Sequence, residues 1–234
     1  MNPRQNAVRL NLKGQLITWV ALLGLAGVYV RALAFTPIER TQGPAQKIFY
    51  LHAPAAMTAL MAFALTGVVS IFYLWLKDRK LDLFAASSAE VGVAFSVVML
   101  TTGPIWGKPI WGTWWSWDAR LTSTLFIFLL FVGYLVMRGA LEDPRVRAQY
   151  SSVIGIMGLL LVPFIHISVY LFRTLHPTPI IAKPSAPSLP QEMLVTLLIS
   201  ALVFLLFYVG FVTQRYSLGL LRELKHEEAA RGIS

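Results

Sequence analysis

Six long apolar runs, separated by short polar segments, occupy most of this chain. Each is close to the roughly 20 residues that an α-helix needs to cross the hydrocarbon of a bilayer. A content of 56% hydrophobic and 13% charged residues excludes an ordinary soluble domain. The runs therefore predict an all-α integral membrane protein, a bundle of six transmembrane helices. They extend from Leu16 to Phe35, Ala53 to Leu76, Leu83 to Ile105, Leu121 to Met137, Ser152 to Phe172 and Met193 to Thr213.

The first run follows Arg4, Arg9 and Lys13, and basic residues also precede the core of a secretory signal peptide. This run is too long for such a core and lacks a clean small-residue cleavage site. We therefore expect it to remain in the protein as the first transmembrane helix.

Lysine and arginine are unequally divided between the two sides of the predicted membrane, and such residues are enriched in cytoplasmic loops. The poorer side holds seven of the 20, which are Arg31, Arg40, Lys47, Lys108, Arg120, Arg173 and Lys183. Both termini are therefore predicted to be cytoplasmic, and the loop between the third and fourth spans to face outward. The net charge of +9 is spread over span ends, which indicates anionic membrane lipid as the partner rather than nucleic acid.

The chain is predicted to form a single six-span domain over residues 1–234. Two segments differ from the spans in composition. The proline-rich stretch "HPTPIIAKPSAPSLPQE", residues 176–192, is predicted to be an extended outer loop, because its prolines rule out a continuous helix. The charged tail, residues 214–234, is predicted to include a short cytoplasmic helix.

Five of the seven tryptophans lie in "WGKPIWGTWWSWDARLT", residues 106–122, within a tryptophan-rich segment of about residues 103–122. The glycines and prolines that begin at Gly103 and Pro104 predict that the third span ends there. Trp111, Trp114 and Trp115 then have the i, i+3, i+4 spacing of one helical face, which predicts a short interfacial helix with Trp117 turned away. An aromatic belt at the membrane surface remains an alternative.

Three of the four histidines, His52, His166 and His176, are predicted to lie in the outward half, whereas His226 lies in the cytoplasmic tail. A single interfacial histidine usually makes only a structural hydrogen bond. Two histidines beside a flat aromatic surface suit haem, because imidazole is a common axial ligand of its iron. The side chains of Lys108, Arg120 and Arg173 could pair with the haem propionates.

Two further observations limit the site. The absence of cysteine excludes a C-x-x-C-H haem attachment, so any haem would be held non-covalently. Asp118, directly before Ala119, is predicted to cap the fourth helix.

These residues resemble a known family. The segment "WGTWWSWDARLT" is similar to the W-G-x-x-W-x-W-D signature of haem-handling proteins of cytochrome c biogenesis, at Trp111, Gly112, Trp115, Trp117 and Asp118. The contexts "QKIFYLHAPAA" and "TLHPT", with six spans in about 230 residues, resemble the cytochrome c maturation protein C family in particular. The resemblance covers nearly the whole chain.

The resemblance implies a bacterial inner-membrane protein that binds haem b at its periplasmic face and presents it to a haem chaperone. Its partners would be the ATPase and permease subunits of an ABC transporter and a small single-span subunit. The family's axial ligands of the haem iron correspond to His52 and His176. The other residues expected to bind haem are Trp106, Trp111, Trp114, Trp115, Trp117, Asp118 and Arg120. His166 also matches a family histidine. It could either bind the haem iron or pack, hydrogen-bonded, within the fifth helix. The family often has paired tryptophans where this chain has Leu171 and Phe172.

The expected activity is presentation rather than acid–base catalysis, since the covalent bond to the haem vinyl would form on a partner. Two alternatives are a b-type electron-transfer subunit, which usually buries its histidine pairs inside the bundle, and a permease subunit of a haem transporter. A permease is expected to carry polar residues near mid-membrane, and Glu90 is the exception in otherwise apolar spans. Glu90 is expected to face the bundle interior or a partner.

The distribution of basic residues predicts the outcome of reporter fusions. Fusions after Lys80 and Arg147 should report a cytoplasmic location, and fusions after Lys108 and Lys183 an external one. An external signal after Arg147 would reverse the predicted position of the tryptophan-rich segment.

Overall fold

The computed structural model describes residues 2–177 and 189–230, with the side chain of Ala230 excepted. Within these ranges six helices are long and apolar enough to cross a membrane, so the predicted six-helix membrane fold is confirmed. A short 3₁₀ helix, Pro44–Ile48, precedes the second of them. The six are α1 (Pro3–Ala34), α2 (Phe49–Leu76), α3 (Arg79–Trp111), α4 (Ala119–Ala140), α5 (Pro144–Leu171) and α6 (Gln191–Ala230).

Consecutive helices run in opposite directions. The antiparallel course of α1 and α6 is fixed at both ends: Gly14 lies against Gly210, and Arg31 Nε donates to Thr196 Oγ1 at 3.0 Å. We call the end where α3 stops and α4 starts the tryptophan end (residues 35–52, 103–124 and 165–177). The opposite end is called the basic end (residues 2–13, 76–82, 137–148 and 215–230).

Helix α2 lies at the centre and packs against α3, α5 and α6. Its Phe63 stacks on Phe131 of α4, with ring centroids 3.9 Å apart. Glycines let backbones approach closely around this stack, as small residues do in membrane bundles. A β-carbon on Gly67 of α2 would lie 2.6 Å from the carbonyl oxygen of Gly155 in α5, and one on Gly158 would meet the Phe131 ring.

The end of α3 differs from the sequence prediction. The helix continues through Pro104 and Pro109 to Trp111, and its 33 residues span about 50 Å, which exceeds the roughly 30 Å of bilayer hydrocarbon. Gly112 ends it in the left-handed conformation, with φ of 73°, and its N–H donates to Lys108 O. Residues 112–118 are not helical, so the predicted separate interfacial helix is wrong.

The loop and tail predictions have different outcomes. The proline-rich loop falls largely on residues 178–188, which lie outside the described residues, as do Lys183 and Arg231. The tail does not begin a helix of its own, because α6 runs without interruption from Gln191 to Ala230.

Ion pairs hold helices together toward the basic end. Buried Asp82 of α3 accepts from Arg138 of α4 through both oxygens, at 2.6 and 3.1 Å, and from Arg79 at 3.2 Å. The carboxylate of Glu90 in α3 accepts from Arg215 of α6 at 2.8 and 2.7 Å. The charge of Glu90 is therefore balanced by an ion pair between α3 and α6 of the same chain.

The glycine contact between α2 and α5 makes a prediction about stability. Replacing Gly67 by Ala should destabilise the fold by about 1–3 kcal/mol, because the backbone of α5 must move away. The matched control is Gly27→Ala in α1, where an added β-carbon meets nothing within 4 Å. Thermal unfolding of the detergent-purified variants measures both, and equal midpoints would contradict the tight approach.

Candidate functional site

A cavity of about 370 Å³ is present at the tryptophan end, between helices α2 to α6, the segment that connects α1 to α2, and the segments that follow α5 and precede α6. This volume falls within the roughly 300–1,000 Å³ of small-molecule sites, and the wall has the usual composition of mostly apolar side chains with a few polar groups. Ala53, Met57 and Leu60 of α2 form much of one wall. The residues that add ring nitrogens or charge are His52, His166, His176, Trp106, Trp111, Trp114, Trp115, Arg120 and Glu39.

The first turn of α2 directs His52 into contact with α3. Its Nδ1 lies 3.0 Å from Thr102 Oγ1, and that hydroxyl donates to Val98 O at 2.7 Å. We assign the hydroxyl hydrogen to this shorter bond, so that Thr102 accepts from His52 and Nδ1 carries the ring hydrogen. The Trp106 ring packs on the imidazole at a centroid distance of 5.6 Å, and an added β-carbon on Gly103 would touch it at 3.1 Å. His52 is thereby fixed with the lone pair on Nε2.

The segment after α5 carries His176, whose Nδ1 lies 2.9 Å from Pro177 O. A carbonyl oxygen only accepts, so this histidine also carries its hydrogen on Nδ1 and its lone pair on Nε2. Burial, followed by the positive charge of Arg120, lowers the pKa of His176 to about 4. The imidazole is therefore neutral at pH 7, the form that can bind a metal.

Asp118 connects the two irregular segments of the tryptophan end. Its Oδ1 accepts from the N–H groups of Arg120 at 3.0 Å and Leu121 at 2.9 Å, the geometry of the predicted α4 cap. Its Oδ2 accepts from the N–H of Leu175 at 3.1 Å, one residue before His176.

Four of the five clustered tryptophans, Trp106, Trp111, Trp114 and Trp115, line the cavity. Trp117 does not, since it is 77% exposed and contacts Trp115 edge-on at 5.8 Å. The indole N–H of Trp115 is buried and has no hydrogen-bond partner within the described ranges. A buried donor of this kind at a cavity wall is a candidate contact for a ligand.

Of the three cations considered for the propionates, the structure brings only Arg120 to the cavity. Its guanidinium makes one long contact, 3.4 Å from Nη1 to Ile165 O, and no carboxylate of residues 2–177 or 189–230 pairs with it. Lys108 instead donates to Gly112 O at 2.9 Å, and Arg173 is exposed.

The chemistry of these groups fits haem. Two imidazoles with a lone pair on Nε2 would suit axial ligation, indole rings would supply flat apolar walls, and Arg120 would supply charge for a carboxylate. His166 lines the same cavity. Sequence inspection missed Thr102, since a threonine inside a helix carries no signal that separates it from its neighbour Thr101.

Comparisons with known proteins agree with the resemblance. The family model described as "Heme exporter protein C" matches residues 2–231. A protein of that name from Haemophilus influenzae is 36% identical over 204 residues, which cover 87% of this chain and 82% of that one. Proteins of the same name from Bradyrhizobium diazoefficiens and Escherichia coli K12 are 34% and 35% identical, over 86% and 70% of this chain and 77% and 68% of theirs.

The contact between Thr102 and His52 makes a prediction about haem affinity. Thr102→Val removes the acceptor that orients the imidazole, and loss of such a partner typically weakens metal binding about 10–100-fold. Thr102→Ser should retain parental affinity. The matched control is Thr101→Val, because Thr101 donates to carbonyls of its own helix and does not touch His52. Haem titration followed by Soret absorbance measures all three, and equal affinities for the two valine variants would contradict the orienting role.

Proposed function

The chain belongs to the haem exporter protein C family, and on that premise we propose that it binds haem non-covalently at its tryptophan end and presents it to a haem chaperone. The family handles haem for cytochrome c maturation. The proposal adds where the haem is held, by which residues, and to what it is passed.

One observation carries the proposal. His52 and His176 come from different elements, line one cavity, and both have Nδ1 engaged by an oxygen acceptor. This arrangement leaves both Nε2 atoms available as axial ligands. A six-coordinate bis-histidine iron is closed to oxygen, which suits a carrier more than an oxygen-activating enzyme.

The remaining contacts follow from the chemistry of the haem periphery. Trp106, Trp111, Trp114 and Trp115 would cover the macrocycle, and each aromatic side chain can bury roughly 150–250 Å². Arg120 would donate charge-assisted hydrogen bonds to a propionate, and the indole N–H of Trp115 is a second donor at the same wall. The residues of this chain bind and orient the cargo, and the covalent bond forms on the partner.

The surface around the cavity suits presentation to a partner. Trp114 is 58% exposed although it lines the cavity, and Trp117, whose ring packs edge-on against Trp115, is exposed as well. Large exposed aromatic side chains of this kind are typical of binding surfaces. We propose that the haem chaperone binds this surface. The ATPase and permease subunits of the transporter and the single-span subunit would be the other members of the complex.

The proposed location is the bacterial inner membrane, with both termini in the cytoplasm and the tryptophan end in the periplasm. Support comes from the arginines and lysines of the basic end, where Lys77, Arg79, Lys80, Arg138, Arg145 and Arg147 lie. The b-type cytochrome alternative is less well supported, because its histidine pairs normally lie deep in the bundle rather than at one end.

Single substitutions of the two proposed ligands test the function. His52→Ala or His176→Ala should lower the haem that co-purifies and shift the spectrum from six-coordinate to five-coordinate, since one axial bond is lost. Exogenous imidazole should partly restore the parental bands by filling the vacant position. Absorption spectra of the purified variants measure both effects.

His226→Ala is the matched control, because His226 is exposed on α6 at the far end of the bundle and should have no effect. His166→Ala distinguishes the third cavity histidine. If His166→Ala alone abolished the spectrum while the other two variants were silent, the ligand assignment would be wrong.

A further inference from the structure

We propose that Asp118 is a positioning residue for His176, through a hydrogen bond that fixes the segment carrying this ligand. The inference rests on the proposed function, in which His176 binds the haem iron. It gives the aspartate of the tryptophan motif a role toward the iron ligand, in addition to its role as a helix cap.

The two carboxylate oxygens of Asp118 have separate partners. Oδ1 accepts both cap hydrogen bonds at the start of α4, whereas Oδ2 accepts only from Leu175 N–H. Leu175 and His176 share a peptide bond. A restraint on the Leu175 nitrogen therefore acts directly on the backbone from which the imidazole projects.

Among the residues the structure describes, few other hydrogen bonds hold this segment in place. Helix α5 ends at Leu171, where Phe172 N–H donates to Ser168 O. The other hydrogen bonds of the segment within the described residues are internal, from Thr174 Oγ1 to His176 O and from His176 Nδ1 to Pro177 O. For residues 173–177, within the described ranges, the bond to Asp118 is the one hydrogen bond to another element.

Apolar packing adds little restraint to the loop itself. Leu175 is 43% exposed, and the ring contact between Phe172 and Phe164 lies before residues 173–177. A hydrogen bond to a carboxylate is generally stronger than one between neutral groups, so a single bond, here 3.1 Å long, can restrain the loop. Asp118 also carries its charge beside Arg120, whose guanidinium lies in the cavity.

The chain supplies a matched control at the opposite end of the bundle. Asp143 caps α5 with the same geometry, accepting through Oδ1 from Arg145 N–H at 2.7 Å and Val146 N–H at 2.9 Å. Its second oxygen has no hydrogen-bond partner among the residues the structure describes. Asp143→Ser thus changes a cap alone, whereas Asp118→Ser keeps a capping oxygen and removes the tether.

The first measurement needs no haem. The chain has no cysteine, so a nitroxide on Arg173→Cys reports on this segment alone. Asp118→Ser should raise the mobility of the label in the electron paramagnetic resonance spectrum, and Asp143→Ser should leave it unchanged. An unchanged label in Asp118→Ser, with the protein still folded by gel filtration, would overturn the tether.

The second measurement uses the haem-loaded protein. Asp118→Ser should convert part of the iron to the five-coordinate form, weaken haem binding about 10–100-fold, and respond to exogenous imidazole. Combined with His176→Ala it should add nothing, because both changes remove the same ligand. Additive losses, or a fully six-coordinate Asp118→Ser protein, would overturn the positioning role.

The two proposals fail differently. If His176→Ala keeps the parental spectrum, the ligand assignment is wrong, even where the spin label shows that the tether exists. Should Asp118→Ser not fold, Asp118→Asn gives the same test, since an amide can keep the cap through its oxygen while its nitrogen faces Leu175 N–H without accepting from it.

Discussion

Hydrocarbon contains no water, so every backbone N–H and C=O inside a bilayer must find its partner within the chain. Helices satisfy this requirement along six segments, and irregular backbone is confined to their ends. The polar groups of the candidate site consequently lie where α2 begins, where α3 ends, where α4 begins and beyond the end of α5. The way each helix terminus is capped then sets the position of the functional side chains.

The hydrogen bonds of the two imidazoles determine which ring nitrogen is available to a metal. Thr102 serves His52 and Pro177 O serves His176, and both leave the lone pair on Nε2. Supporting contacts of this kind orient ligands before any metal arrives, which reduces the cost of binding. Arg120 and Trp115 are the complementary case: both residues line the cavity, and among the described residues the Arg120 guanidinium makes one long contact and the Trp115 indole N–H has no partner.

Glycine and proline usually interrupt helices, but most of those near the end of α3 do not. Gly103 and Pro104 do not end the helix, and Gly103 instead leaves room for the His52 ring. Proline is tolerated in membrane helices because neighbouring groups compensate for the missing N–H. Gly112 ends the helix because its positive φ suits a residue without a β-carbon.

The sequence by itself determined the six spans, the α4 cap at Asp118 and the choice of histidines and tryptophans as candidates. Each of these depends on local hydropathy, local backbone geometry or residue chemistry. Only the tertiary structure decided that four tryptophans, His52, His176 and Arg120 share one cavity, and that Glu90 pairs with Arg215. It alone revealed Thr102 beside His52 and Leu175 beside Asp118, contacts between residues 50 and 57 positions apart. Such contacts depend on how helices pack and on which residues their ends bring together, and a one-dimensional pattern of hydropathy does not encode either.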